Sequence, residues 1–241
     1  MADGERTSGG NLQTALREAL TSGALPGETE GFSPDEQNEA AAFLAETALE
    51  RRKGEPAVRL ESRGGGDASH RRMRLAIVND DMPFLVDSVA NAIVARHLTI
   101  HRLLHPVVCV TRDAEGKLTG LEPRCADTDR RESMMYIEVD RADARTRQEL
   151  VAELQQVLHD VRLAVQDWRA IQERMRADAA LVEDSEGAAL LNWFADGAMT
   201  LVGFQVERPG EVPSETLGIF SVPGAPTDDG GCLGAMRYFE G

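Results

Sequence analysis

The sequence predicts an α+β domain, an antiparallel sheet with its helices on one face. Three observations carry that prediction. From Met73 to Val206 the segments fall in the order strand, helix, strand, strand, helix, strand. The strand segments alternate apolar and polar residues with period two, while the helical ones repeat close to every 3.6 residues. The turn between the middle strands, Asp113-Ala114-Glu115-Gly116, has hairpin chemistry. Together these give the ferredoxin-like split βαβ pattern, βαββαβ, preceded by N-terminal helices and carrying an extended second helix.

At 241 residues and 26.2 kDa the chain suffices for one good core or two modest ones. Its formal net charge of -15 excludes nucleic acid as a partner, because such binding depends on Lys and Arg displacing counterions from phosphates. The acidic residues are spread along the chain, which fits solubility. No apolar run is long enough to cross a bilayer, and Met1 to Arg6 has neither a basic nor an apolar leader region, so the expectation is a cytoplasmic protein with no membrane contact. Cys109, Cys125 and Cys232 form no Cys-x-x-Cys pair and are expected as reduced thiols, Cys109 as a small core residue.

Residues 1–10 are polar and Gly-rich and are expected to be disordered. Asn11 then caps a short helix on Leu12, Ala15, Leu16, Ala19 and Leu20, which Gly23 ends. Ser33-Pro34-Asp35-Glu36 starts a second helix running to about Lys53, closed by Gly54 and Pro56. This pair reads as an arm or a partner-facing element. Ala57 to Ser62 alternates as a strand and pairs with the strand from Met73 to Val78 across a long loop. The loop, Arg63 to His70, holds three glycines but no Gly-Lys-Ser/Thr, so it reads as a flexible connection and not a phosphate cradle.

Asp80 or Asp81 is placed to cap the next helix, with Pro83 in its first turn and Leu85, Val86, Val89, Ala90, Ile93 and Val94 as its apolar stripe. Leu98 to Thr111 reads as extended, Lys117 to Leu121 returns along it, and Ser133 to Val139 is a further strand. A helix follows from about Ala144, with Leu150, Leu154, Val157, Val161, Val165, Trp168, Ile171 and Met175 in phase. About 30 residues of helix would span roughly 45 Å, so a bend is expected near Gln166 to Arg169. Ser185 to Ala195 is helical, Met199 to Val206 a strand, and Leu217 to Val222 and Met236 to Phe239 are short strand candidates. His97, His101 and His105 recur every fourth residue, but on an extended segment they spread over roughly 26 Å, too far to share one ion. Trp168 and Trp193 read as helix anchors.

Several stretches resemble the large NAD-dependent glutamate dehydrogenases, in order. The most specific is Asn79-Asp80-Asp81-Met82-Pro83-Phe84-Leu85-Val86-Asp87-Ser88-Val89. Others are Leu98 to His101 with His105-Pro106-Val107, Glu132 to Asp140, and Asn192 to Gly197 leading into Thr200 to Phe204. Phe32-Ser33-Pro34 through Gly54 to Arg59 is similar to that family's lead-in. The resemblance implies a parent enzyme that deaminates L-glutamate with NAD to 2-oxoglutarate and ammonium. It implies further that this portion is the first ACT-like module, an ACT-type βαββαβ sandwich that is itself non-catalytic and binds neither NAD nor a metal. The expected organisation is a flexible arm with a short helix over 1–31, a lead-in helix over 32–56, the ACT-like domain over 57–207 and an irregular tail or next module over 208–241. Other domains and subunits of the same enzyme are the expected partners, in a homo-oligomer.

The candidate site is the strand–helix junction Asn79, Asp80, Asp81, Met82, Pro83 and Phe84. ACT modules hold a small amino acid at this junction, where backbone N–H groups and the positive helix end suit a carboxylate. The two aspartates would then hold its ammonium. One departure counts against that use: Phe84 stands where such modules usually carry glycine, and a bulky ring there fills the pocket or plugs into a neighbouring domain. The alternatives are a self-contained amino-acid-binding module and a purely structural dimerisation domain.

Overall fold

The computed structural model describes residues 3–24, 27–63, 72–122, 130–206 and 214–222. They fall into two compact units, Met1–Met82 with Val89–Gln156, and Pro83–Ser88 with Val157–Gly241.

The first unit is built on two strands, β2 (Arg72–Asp80) and β6 (Arg131–Asp140), paired antiparallel along their lengths from Arg72↔Asp140 to Asp80↔Glu132. β1 (Ala57–Ser62) extends the sheet beyond β2. On the other side of β6 lie β3 (Ile100–Leu104) and β4 (Val107–Arg112), successive pieces of one extended segment interrupted at His105-Pro106. β5 (Leu118–Glu122) returns along β4. The strands are antiparallel as expected. The outer position beside β2 is filled by β1, from before the split βαβ unit, and not by the strand expected at Met199 to Val206.

Both faces of the β2–β6 pair are apolar, and this decides where the helices go. Leu75, Ala76, Ile77 and Val78 form an unbroken buried run, the mark of a strand covered on both sides. One face presents Ala76, Val78, Met134 and Tyr136, which share a core with Leu16, Leu20, Phe43 and Leu44 of α1 (Asp3–Ser22) and α2 (Pro34–Ala48). These two helices are therefore a core layer and not an arm. α1 also starts at Asp3, well before the expected Asn11. Once the packed turns have nucleated the helix, each further residue adds a hydrogen bond at little cost. The start of α2 follows its sequence signal: Ser33 Oγ accepts from Glu36 N–H while Glu36 Oε2 accepts from Ser33 N–H at 2.9 Å.

The opposite face presents Met73, Leu75, Ile77, Met135, Ile137 and Val139, all buried. The helices left in this unit to cover it are α3 (Leu85–Ala95), with Val89 and Ile93, and the first turns of α4 (Ala144–Ala179), with Leu150 and Leu154. Arg96, just past α3, ties the two by ion pairs to Glu149 at 3.0 Å and to Glu153. α3 ends in a left-handed residue, His97 (φ 58), with Leu98 N–H reaching back to Ile93 O. Cys109 differs from expectation, being disulfide-bonded. Cys125 and Cys232 lie outside the described residues.

The second unit contains the rest of α4, then α5 (Ser185–Trp193), a π turn (Phe194–Ala198) and the hairpin of β7 (Gly203–Val206) with β8 (Ser214–Gly218). α4 is one helix of 36 residues, with no break at Gln166 to Arg169. It contains neither Pro nor Gly, the residues that most often kink a helix. The strand expected from Met199 begins at Gly203 and pairs with β8, so these two form their own sheet. The strand expected at Leu217 to Val222 is instead the end of β8 followed by a 3-10 turn, and Met236 to Phe239 lies outside the described residues. Asp167 accepts from Gly218 N–H at 2.8 Å, and Arg176 holds the π turn through Ala195 O and Asp196. Among the described residues no helix is long and apolar enough to cross a membrane.

Candidate functional site

The junction after β2 is anchored by charge. In the β2–β6 register Asp80 stands directly opposite Glu132, and like charges facing across an antiparallel pair repel. Three arginines resolve the repulsion. Arg51 reaches both acids, at 2.5 Å to Asp80 and 2.6 Å to Glu132. Arg112 grips Glu132 with two parallel bonds of 2.8 and 2.7 Å, the bidentate geometry its planar fork favours. Arg130 adds an ion pair to Glu132 at 3.3 Å. Burial works to raise the carboxyl pKa of Glu132, but hydrogen bonds from Arg112 and Arg51 outweigh it and hold the group below its ordinary value.

Arg51 and Arg112 also bond backbone carbonyls. Arg51 donates to Glu55 O at 3.0 Å, and Arg112 to Ala48 O and Gly116 O at 2.9 and 2.8 Å. The network therefore joins the end of α2, the chain that follows it, the β4–β5 turn and the starting edge of the junction. Gly116 is obligatory in that turn. Its φ is +89, and a Cβ there would lie 2.6 Å from Arg51 O.

The six junction residues divide into two groups. Asn79 is fully buried, and the Asp80 carboxylate is committed to Arg51 and to Gly54 N–H at 3.2 Å. Asp81 and Pro83 are exposed, Met82 is half-buried, and the Phe84 side chain is 52% exposed. Of the two aspartates Asp81 is the more exposed, its N–H donating to Arg131 O at 3.2 Å. Phe84 adopts φ +69, the left-handed region that favours glycine.

His105 lies on the Ser133 side of this junction, Nε2 2.6 Å from the Ser133 hydroxyl. Burial lowers its pKa, opposed by the charge of Asp81. His101 instead pairs with Asp140 at 2.7 Å, while His97 caps α3. Among the described residues no three His, Cys, Asp or Glu side chains are placed to hold a metal ion.

Arg51, Arg112 and Arg130 are the residues that sequence reasoning missed. A signal existed: Glu132 and Glu138 occupy the strand phase of Met134 and Tyr136. A charged residue in a core-facing phase must bring partners with it.

The chain is similar to known proteins over this region. The family described as "Glutamate dehydrogenase, ACT1 domain" matches residues 17–154. An NAD-specific glutamate dehydrogenase of Halomonas elongata is 31% identical over 169 residues, 61% of this chain and 10% of that protein. One of Pseudomonas aeruginosa is 30% identical over 226 residues, 80% of this chain and 14% of that protein. The likeness thus spans a small part of each relative. With more than half of its length matched by the family, and with an antiparallel α+β sheet of the required kind, the chain belongs to the glutamate dehydrogenase ACT1-domain family.

Proposed function

We propose that this chain is the N-terminal regulatory and assembly module of a large NAD-dependent glutamate dehydrogenase and takes no part in the chemistry itself. The parent enzyme converts L-glutamate, NAD and water to 2-oxoglutarate, ammonium and NADH, with NAD held in another domain, in a cytoplasmic homo-oligomer. The observation that carries the reading is the division of the junction: Asn79 is buried and Asp80 is held by Arg51, while Asp81 and Phe84 are exposed. A rigid base with an exposed tip suits a surface that reports on what touches it. An amino-acid effector held by Asp81 and the backbone of the junction would act by favouring one domain arrangement over another. Such coupling is typically worth about 1 to 3 kcal/mol.

The test is the glutamate-dependent rate of the full-length enzyme over a panel of amino acids, in wild type and Asp81→Ala. The expected result is a response to at least one amino acid that the variant loses while its rate without effector is kept. A response identical in both proteins removes Asp81 from the site, and an enzyme indifferent to every amino acid leaves assembly as the module's role.

A further inference from the structure

Helix α5 carries apolar residues on both of its sides yet buries none of them. Its partly covered side carries Gly187, Ala188 and Leu191, and it has no buried residue from Ser185 to Trp193. The outward side follows the i, i+3, i+4 spacing through Glu186, Ala189, Leu190 and Trp193, with Leu190 48% and Trp193 59% exposed. A helix that is apolar on both sides is normally a covered helix. The unit around it has the same character. Of the nine large apolar side chains exposed among the described residues, seven belong to the second unit. The family match also ends at residue 154, three residues before the second unit's main segment is reached at Val157.

We propose that the outward face of α5, centred on Leu190 and Trp193, is the seat of another domain of the same polypeptide, one that presents an apolar recess rimmed by Lys and Arg. The proposal rests on the reading of this chain as a segment of a long enzyme, whose relatives are matched over only 10 and 14% of their length. Charge selects the occupant. From Leu181 to Met199 there are four acidic residues, Glu183, Asp184, Glu186 and Asp196, and no Lys or Arg. Asp184 caps α5 and Asp196 is paired with Arg176, which leaves Glu183 and Glu186 exposed at the edge of the apolar face. A second copy docking through the same patch would set these acids against themselves, on a chain of net charge -15. A basic rim on a different domain meets them with opposite sign. Trp193 in the centre is the residue type that dominates such contacts.

The test uses the full-length enzyme throughout. Hydrogen exchange of the segment from Ser185 to Met199 is expected to be about tenfold faster in the double variant Leu190→Asp, Trp193→Asp than in wild type, with β2 and β6 unchanged as the control for folding. Zero-length coupling of carboxyl to amine is expected to join Glu183 or Glu186 to a lysine outside this chain's 241 residues within one polypeptide. Rapid exchange already in wild type, or coupling between isotopically distinct copies, overturns the proposal. An enzyme whose Asp81 variant loses regulation while α5 exchanges rapidly loses the interface alone. One with α5 protected but no response to amino acids loses the effector reading alone.

Discussion

Arg51 and Glu132 are separated by 81 residues of sequence and meet at 2.6 Å, with 1% and 0% of their side chains exposed. The desolvation of two such charges is offset only because the geometry is complete: Glu132 receives Arg112 in bidentate fashion as well, and Asp80 takes a second bond from Arg51. Breaking the network from one side is therefore far worse than never having built it. Glu132→Ala strips the buried Arg112 of its carboxylate and leaves Arg51 to Asp80 alone, and is expected to cost about 3 to 5 kcal/mol in a denaturant titration. A loss under about 1 kcal/mol, the level of an exposed pair, would show that water has replaced the carboxylate.

The same carboxyl gives a pH signature. Its folded-state pKa is depressed, so its contribution is whole above the unfolded-state value and is lost as pH falls through the lower folded-state value. Wild type is expected to lose stability in that acid window more steeply than Glu132→Gln, which has no proton to take up there. Parallel stability profiles for the two proteins would deny Glu132 a depressed pKa.

Gly116→Ala tests how the network is held in place. The substitution meets a φ of +89 and a Cβ position 2.6 Å from a backbone oxygen, and neither can be relieved by turning a side chain. A loss of about 2 to 3 kcal/mol is expected. The hydrogen bond from Arg51 N–H to Gly116 O should open as well, read as faster exchange of the Arg51 amide. Ordinary stability with a protected Arg51 amide would mean the turn can move aside.

The strands, the hairpin turn and the Ser33 cap were legible because each is a local signal, read from period two, from turn residues or from a capping box. The core role of α1 was not read, though Leu75 to Val78 announced it: a strand apolar on both faces demands two covering layers, and only the N-terminal helices were free to supply the second. The pairing of β1 with β2 was legible as a hairpin, but its consequence was not drawn: β1 occupies the edge of β2 at which the closing strand had been placed. Of the site, the glycine-like position of Phe84 was readable, whereas the two aspartates were read as a pair. The capture of Asp80 was not readable, since it depends on Arg51, 29 residues earlier.

Leu16→Ala measures the α1 layer directly. Leu16 is fully buried in the cluster shared with Ala76, Val78 and Tyr136. Truncation there is expected to cost about 2 to 5 kcal/mol, the range for a core leucine. A mobile arm would give a change within about 0.5 kcal/mol, the value for surface sites.

Phe84 permits a test in which the usual order of two substitutions is inverted. A non-glycine residue in the left-handed region carries a strain of about 1 to 2 kcal/mol. Phe84→Ala keeps that strain, whereas Phe84→Gly removes it and adds about 0.5 to 1 kcal/mol of unfolded-state entropy. Both variants lose the same half-exposed ring, so its burial cancels between them. Phe84→Gly is therefore expected to be the more stable by about 0.5 to 1 kcal/mol in matched denaturant titrations, although glycine is normally the poorer residue near a helix. The alanine variant coming out ahead would mean the φ of +69 is not held in solution. If the order is inverted, the chain accepts strain to keep an aromatic ring exposed where glycine would be easier, and a loss of regulation common to both variants in the full-length enzyme would locate the reason in the ring.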